Sequence, residues 1–270
     1  MNNKHSVYYK YSAKQSAKLH YGLVILNCLV FGGGAIAALW LFVFRESWIY
    51  LFFSLLCFLL YFILSSVLLN VLGGVLYIDC DAVKMKDVCY IIENKVAEKG
   101  KIIWRMFRAQ AASFVPGGEQ ESFELLQTCK NYKKSVGYEI FYLSLYIRHY
   151  ARTQEWESYQ EMKETLYNLI MAQKLSSKKR QVYERYMNEI EAGEKYRAGE
   201  IDEARNLYQK LLDEKKSNVL NKVLIHKQLF ELDMKEGKQE SAKQHLIFVA
   251  QNGGTTYMAE EAKAKLQELE

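Results

Sequence analysis

Two uncharged stretches constrain this chain more than anything else in it: Tyr21 to Phe44 and Trp48 to Gly74, separated only by Arg45-Glu46-Ser47. They run for 24 and 27 residues. As helices each spans roughly 36–40 Å, enough to cross a hydrocarbon core of about 30 Å with some tilt. A helix on the core of a soluble protein keeps a polar stripe, and neither stretch has one. A secretory leader is the other reading, since Lys4, Lys10, Lys14 and Lys18 precede the first stretch and Ala35-Ile36-Ala37 has cleavage-site spacing. The apolar run continues through Phe44, too long for a leader's core of roughly 7–15 residues. The expectation is a transmembrane hairpin over residues 20–74, with spans at about 21–44 and 48–72.

Charge sets the orientation. Residues 1–19 hold four lysines and no acid, the 45–47 loop holds one charge of each sign, and residues 73–270 hold 31 basic against 30 acidic side chains. Most of the net charge of +5 therefore sits in a basic tail beside the membrane. Basic residues flanking a span stay cytoplasmic. The tail is expected inside, and two spans return the chain to the same side. The expected location is the cell membrane, multi-pass, with both termini cytoplasmic. The same partition argues against nucleic acid as a partner, because that footprint needs a basic patch on the folded domain. The tail is instead suited to anionic lipid of the bilayer.

Within the hairpin, Asn27 lies 19 residues before Glu46 and Ser65 lies 19 after it. An antiparallel pair with a tight turn sets them at matching depth, so Asn27 is expected to bond Ser65 or Ser66. Gly32, Gly33 and Gly34, with Ala37 and Ala38 one turn on, offer a small-residue face. It either packs on the second span or, centred on Gly33, joins two copies into a homo-oligomer.

Beyond the membrane, Asp79-Cys80-Asp81 precedes Val83, Val88, Ile91 and Ile92, which reads as an N-cap opening a connecting helix within residues 75–100 and stopping at Gly100. A metal role for the two aspartates lacks further oxygen ligands nearby. From residue 101 to 270 the breaks recur. Four segments share a turn residue, a small residue five positions on and a bulky apolar residue nine positions on: Gly117/Ser122/Leu126, Thr153/Ser158/Met162, Gly199/Ala204/Tyr208 and Gly237/Ala242/Leu246. The turn residue ends one helix, the small one admits close approach of the next, and the bulky one fills the interface.

This pattern, best kept in Ala198-Gly199-Glu200-Ile201-Asp202-Glu203-Ala204-Arg205-Asn206-Leu207-Tyr208, resembles the tetratricopeptide repeat, whose units are helix–turn–helix pairs. The match is good over residues 190–251 and weaker over 101–172. The family's Trp and Leu-Gly positions and its closing Pro are largely missing. The resemblance implies an all-α architecture: a two-helix transmembrane hairpin followed by an α-solenoid of helix pairs. The pairs are expected at 101–115 with 119–134, 137–152 with 155–172, 177–197 with 201–214, and 218–235 with 239–251. A polar-faced helix at 256–269 caps them. Pro116, the single proline, falls in a turn.

Two stretches carry functional hypotheses. In 101–108, Trp104, Arg105 and Arg108 share a face that suits the lipid interface, unless it is simply the first repeat helix. In 138–150, Tyr138, Tyr142 and Tyr146 share one side with His149, and Arg148 another. The resemblance implies that first helices line the concave surface, where Tyr and Arg suit recognition of a partner; packing between helices is the plainer alternative. Lys178-Lys179-Arg180 reads as a solvated face. None of the five histidines is paired at i, i+4 as in a helical metal site, and the five cysteines show no C-x-x-C, so free thiols are expected. No phosphate loop or nucleophile motif is present. Taken together these features predict no enzyme, cofactor or metal. They point to a membrane-anchored scaffold or adaptor binding a protein or peptide through the repeat surface. The alternative is an accessory subunit of a membrane transport or envelope complex, engaged through the hairpin. Usage rich in Lys, Tyr and Asn favours a bacterial source.

Overall fold

The computed structural model describes residues 5–130, 135–173, 177–214 and 217–268, and every regular element among them is helical. The first two helices are long and apolar enough to cross a membrane. One runs Ala13–Arg45 at mean hydropathy 2.1 and the other Trp48–Tyr77 at 2.5. Their side chains face outward for most of that length; Trp48 and Ile49 are each 75% exposed. The first comprises α1 (Ala13–Asn27), a π-helical turn (Cys28–Gly32) and α2 (Gly33–Arg45). Glu46 takes the left-handed conformation and Ser47 opens α3 (Trp48–Tyr77).

Inside the hairpin the Asn27 amide donates to Ser65 Oγ at 2.8 Å and to the Tyr61 carbonyl at 3.2 Å. Ser54 Oγ donates to the Ala35 carbonyl at 2.9 Å. The small-residue face divides. Ala35 and Ala38 are buried, and a Cβ on Gly34 would meet Cys57 Sγ at 3.6 Å. Gly33 and Ala37 point outward, and a Cβ on Gly33 would have nothing within 4 Å. The packed stripe thus runs Gly34–Ala35–Ala38: of the face read in the sequence, Gly34 and Ala38 meet the second helix, whereas Gly33 and Ala37 do not.

Helix α1 begins well before the apolar stretch. Ser12 and Gln15 form a capping box: Gln15 Oε1 accepts from the Ser12 amide at 2.9 Å, and Ser12 Oγ accepts from the Gln15 amide at 3.3 Å. Residues 5–12 pack against the body. Tyr8 is buried, the Ser6 amide and hydroxyl both donate to the Asp79 carboxylate, and Lys84 Nζ donates to the Tyr8 carbonyl at 2.6 Å. Asp79 therefore clasps the N-terminal segment, while Asp81 caps α4 (Ala82–Glu93) by accepting from the Lys84 amide. That helix stops at Glu93, short of the expected Gly100, because the Asn94 side chain donates to the Tyr90 carbonyl at its end. Gly100 lies instead in the first turn of α5 (Glu98–Ala112).

The rest of the body is α6 (Glu119–Gln127), α7 (Val136–Thr153), α8 (Trp156–Met171), α9 (Ser177–Ala198), α10 (Ile201–Asp213), α11 (Val219–Lys235), α12 (Gln239–Asn252) and α13 (Tyr257–Glu268). The end of the expected 119–134 helix falls on residues 131–134, outside the described residues, as do the side chains of Lys178 and Lys179; Arg180 is exposed. Pro116 sits in the α5–α6 turn. Residues at positive φ lie two positions ahead of six helix starts: Glu46 and Cys80 ahead of α3 and α4, and Gly117, Gln154, Gly199 and Gly237 in the four recurring segments. In the second segment the turn is thus at Gln154 rather than Thr153, since α7 runs through Thr153. The register moves by one, and Tyr159, not Ser158, occupies the buried position held elsewhere by Ser122, Ala204 and Ala242. Twelve positions after each turn residue, Cys129, Leu166, Leu211 and Val249 are buried in turn.

The body closes on itself. One core joins Leu72, Val75 and Leu76 of α3 and Met85, Val88 and Ile92 of α4 to Phe114 after α5, Val223 of α11, Val249 of α12 and Met258 of α13. The Thr255 amide donates to the Cys80 carbonyl at 3.1 Å, Thr255 Oγ1 donates to Asp81 Oδ1 at 3.0 Å, and the Tyr257 amide donates to the Phe114 carbonyl at 2.7 Å. Helix α13 keeps the polar outer face expected of a cap, with Glu260, Glu261, Lys263 and Lys265 exposed. Its inner face, Met258, Ala259 and Ala262, is locked against the start of the body.

Candidate functional site

Closure leaves a cavity of about 550 Å³ between the inner faces of α7, α9, α11 and α13. Its polar wall is built by helical spacing. Arg148, His149 and Arg152 lie within about one turn on α7; Tyr186, Glu189, Tyr196 and Arg197 share a face of α9; Lys227 and Glu231 are four apart on α11. Tyr257 enters from α13.

The cations are held by rings and carboxylates. Arg152 pairs with Glu119, donates to the Ser113 carbonyl at 2.9 Å and lies 3.7 Å over the Tyr257 ring. Arg197 lies 4.5 Å over Trp156 and 4.7 Å over Tyr159. Lys227 pairs with Glu231 at 3.5 Å and Glu261 at 3.6 Å. Arg148 is different. Its guanidinium lies 4.9 Å over Phe114, yet its Nη1 is closed off from solvent and donates to nothing. Glu189 has no hydrogen bond or ion pair among the described residues, and it acts only as a charge near Tyr186 and Tyr208. Burial raises the phenol pKa of both tyrosines, so both stay neutral donors. The Tyr186 hydroxyl is spent on the Ser144 carbonyl at 3.1 Å, tying α9 to α7.

Of the residues singled out in the sequence, Arg148 and His149 face this cavity. His149 stacks on Phe123 at 4.2 Å, and burial lowers its pKa. Tyr142 and Tyr146 turn toward α6: Tyr146 is buried, and their rings lie 4.8 Å apart beside Phe123. Tyr138, near the start of α7, is partly buried. Trp104 packs against the body core and the His20 ring at 5.9 Å. Arg105 donates to Glu93 at 2.6 Å, and Arg108 donates to Glu121 at 2.7 Å while lying over Tyr90. Both guanidiniums of that face are thus engaged inside the chain.

The α9 and α11 residues of the cavity escaped the sequence reading. Their signal was present as Tyr186, Glu189, Gly193, Tyr196 and Arg197, a single i, i+3, i+7 helical face within an otherwise polar helix. A histidine contact also escaped it, since its members lie on neighbouring helices: His226 Nδ1 and His245 Nδ1 are 2.8 Å apart, and His245 faces the fully buried Asp233 at 3.6 Å. Among the described residues no three His, Cys, Asp or Glu side chains gather as metal ligands. All five cysteines are free thiols, and burial, aided by Asp79, pushes the Cys80 thiol up to about 12. Comparison with protein-family models, curated proteins and solved structures finds no match.

Proposed function

We propose that this is a non-enzymatic, membrane-anchored scaffold or adaptor, with tetratricopeptide-like helix pairs holding a protein or peptide partner on the cytoplasmic side. The observation that carries the reading is the cavity wall itself: arginines stacked on aromatic rings, which is the composition of interface anchors. The left-handed turn residues and the recurring buried positions support the repeat-like part of it. Four lysines ahead of the first span support cytoplasmic termini. The second reading, an accessory subunit engaged through the hairpin, draws on the outward-facing Gly33.

A photo-crosslinking residue at Tyr196 or at Gly33, in the full-length chain in native membranes, separates them. The proposal expects a defined adduct from Tyr196 that Arg148→Glu abolishes while Gly33 adducts are unchanged. Adducts from Gly33 alone, indifferent to Arg148→Glu, would transfer the binding role to the hairpin.

A further inference from the structure

Two charged groups in the cavity make no hydrogen bond or ion pair among the described residues, and they are of opposite sign: Arg148, whose Nη1 is buried, and Glu189, which is partly exposed. Buried polar atoms in folded proteins nearly always find a hydrogen bond, so an orphan demands a reason. Arg148 Nη1 is such an orphan, buried in a wall where Arg152, Arg197 and Lys227 each have a carboxylate, Glu119, Glu194 and Glu231. Glu189 is the carboxylate on the same wall with no cation to meet it, although Glu119 and Glu231 have theirs. No ion pair joins the two, and both line the cavity together with Tyr186. Around them the surface is aromatic, from Phe114, Tyr196 and Tyr208.

We infer that the cavity takes a short zwitterionic peptide, its carboxylate on Arg148 and its ammonium on Glu189, with a side chain against the aromatic wall. This rests on the cavity being the binding site. The cavity's volume of about 550 Å³ falls in the range of roughly 300–1,000 Å³ typical of small-ligand sites and suits a peptide of a few residues. A partner lacking either charge leaves one of the two groups desolvated and unpaired, which is how such a site discriminates.

The test is calorimetric titration of the full-length protein in detergent micelles with the tripeptide Ala-Phe-Ala, its N-acetyl form and its C-terminal amide. The free tripeptide is expected to bind, and capping either end is expected to weaken binding by at least about tenfold. Arg148→Gln is expected to erase the preference for free carboxylate over amide and keep the preference for free amine; Glu189→Gln does the reverse. Reading discrimination rather than loss separates this from misfolding, and Arg148→Lys, which keeps the charge, retains part of the carboxylate preference. Equal affinity of free and capped peptides, or no binding of Ala-Phe-Ala up to millimolar concentration, overturns the inference. In that event persistent Tyr196 crosslinks to a protein partner would leave the broader function standing; their absence as well would remove both.

Discussion

Gly254→Ala is the sharpest probe of the closure that creates the cavity. Gly254 has φ +56°, and an added Cβ would lie 2.5 Å from the Cys80 carbonyl oxygen and 2.8 Å from that of Asp79. Both obstacles are backbone, so no rotamer change relieves them. The left-handed conformation alone costs a non-glycine residue about 1 kcal/mol. Relieving the clash moves the loop off the Cys80–Asp81 turn. It then loses the Thr255 amide bond to Cys80, the Thr255 hydroxyl bond to Asp81 and the Val83 amide bond to Thr255 Oγ1, at about 1 kcal/mol each. The total is about 3–5 kcal/mol. Gly199→Ala is the matched control: its φ is +81°, but a Cβ there meets nothing within 4 Å, so it carries only the conformational part of about 1 kcal/mol. Thermal unfolding of the full-length chain in micelles reads the global cost, and hydrogen exchange at the Thr255 and Val83 amides reads local opening. Gly254→Ala should destabilise by several-fold more than Gly199→Ala and unprotect both amides. Equal melting temperatures for the two variants, with Thr255 still protected, would refute the closure as the source of stability.

Other expectations follow from buried charge and from the hairpin. Arg205→Ala leaves Asp233, which has no exposed surface and an Arg205 Nη1 contact of 2.6 Å, as an uncompensated carboxylate, at a cost of about 3–5 kcal/mol. The double change Arg205→Met/Asp233→Leu should recover most of it in the same melt. Burial first, then His245 and Lys222, lower the His226 pKa from 6.5 to about 4, so between these values the unfolded chain binds the extra proton. Stability is full above pH 6.5 and falls as pH drops toward 4, by about 2 kcal/mol after allowing for partial exposure, and His226→Gln should flatten that part of the profile. Asn27→Leu removes both cross-hairpin bonds of that amide and should lower hairpin stability by about 1 kcal/mol, read as increased cysteine accessibility at Cys57.

The helices were legible because their signals are local. Gly199 and Gly237 mark left-handed turns, the N-cap at Asp81 stands three residues before the amide it accepts from, and the hairpin announces itself by length and hydropathy. The one slipped turn, Thr153 for Gln154, shows the limit of a template that expects glycine: once the turn residue carries a side chain, only the end of α7 fixes the register. The start of α1 is written in the Ser12/Gln15 box, ahead of the uncharged stretch that begins at Tyr21. What sequence does not carry is the closure. Ser6 meets Asp79 across 73 positions and Thr255 meets Asp81 across 174, and each uses residue types that serve equally well as ordinary caps.

That closure ties the hairpin to the cavity through a few side chains. Tyr77, the last residue of α3, donates to Gln110 on α5 at 3.0 Å. One turn later Phe114 belongs to the same core as Leu72, Val75 and Leu76 of α3. Its ring carries the Arg148 guanidinium, and its carbonyl receives the Tyr257 amide. A group bound by Arg148 therefore sits one aromatic ring away from the core formed with the apolar hairpin. The base of the hairpin thus supplies part of the core on which the cavity wall is built.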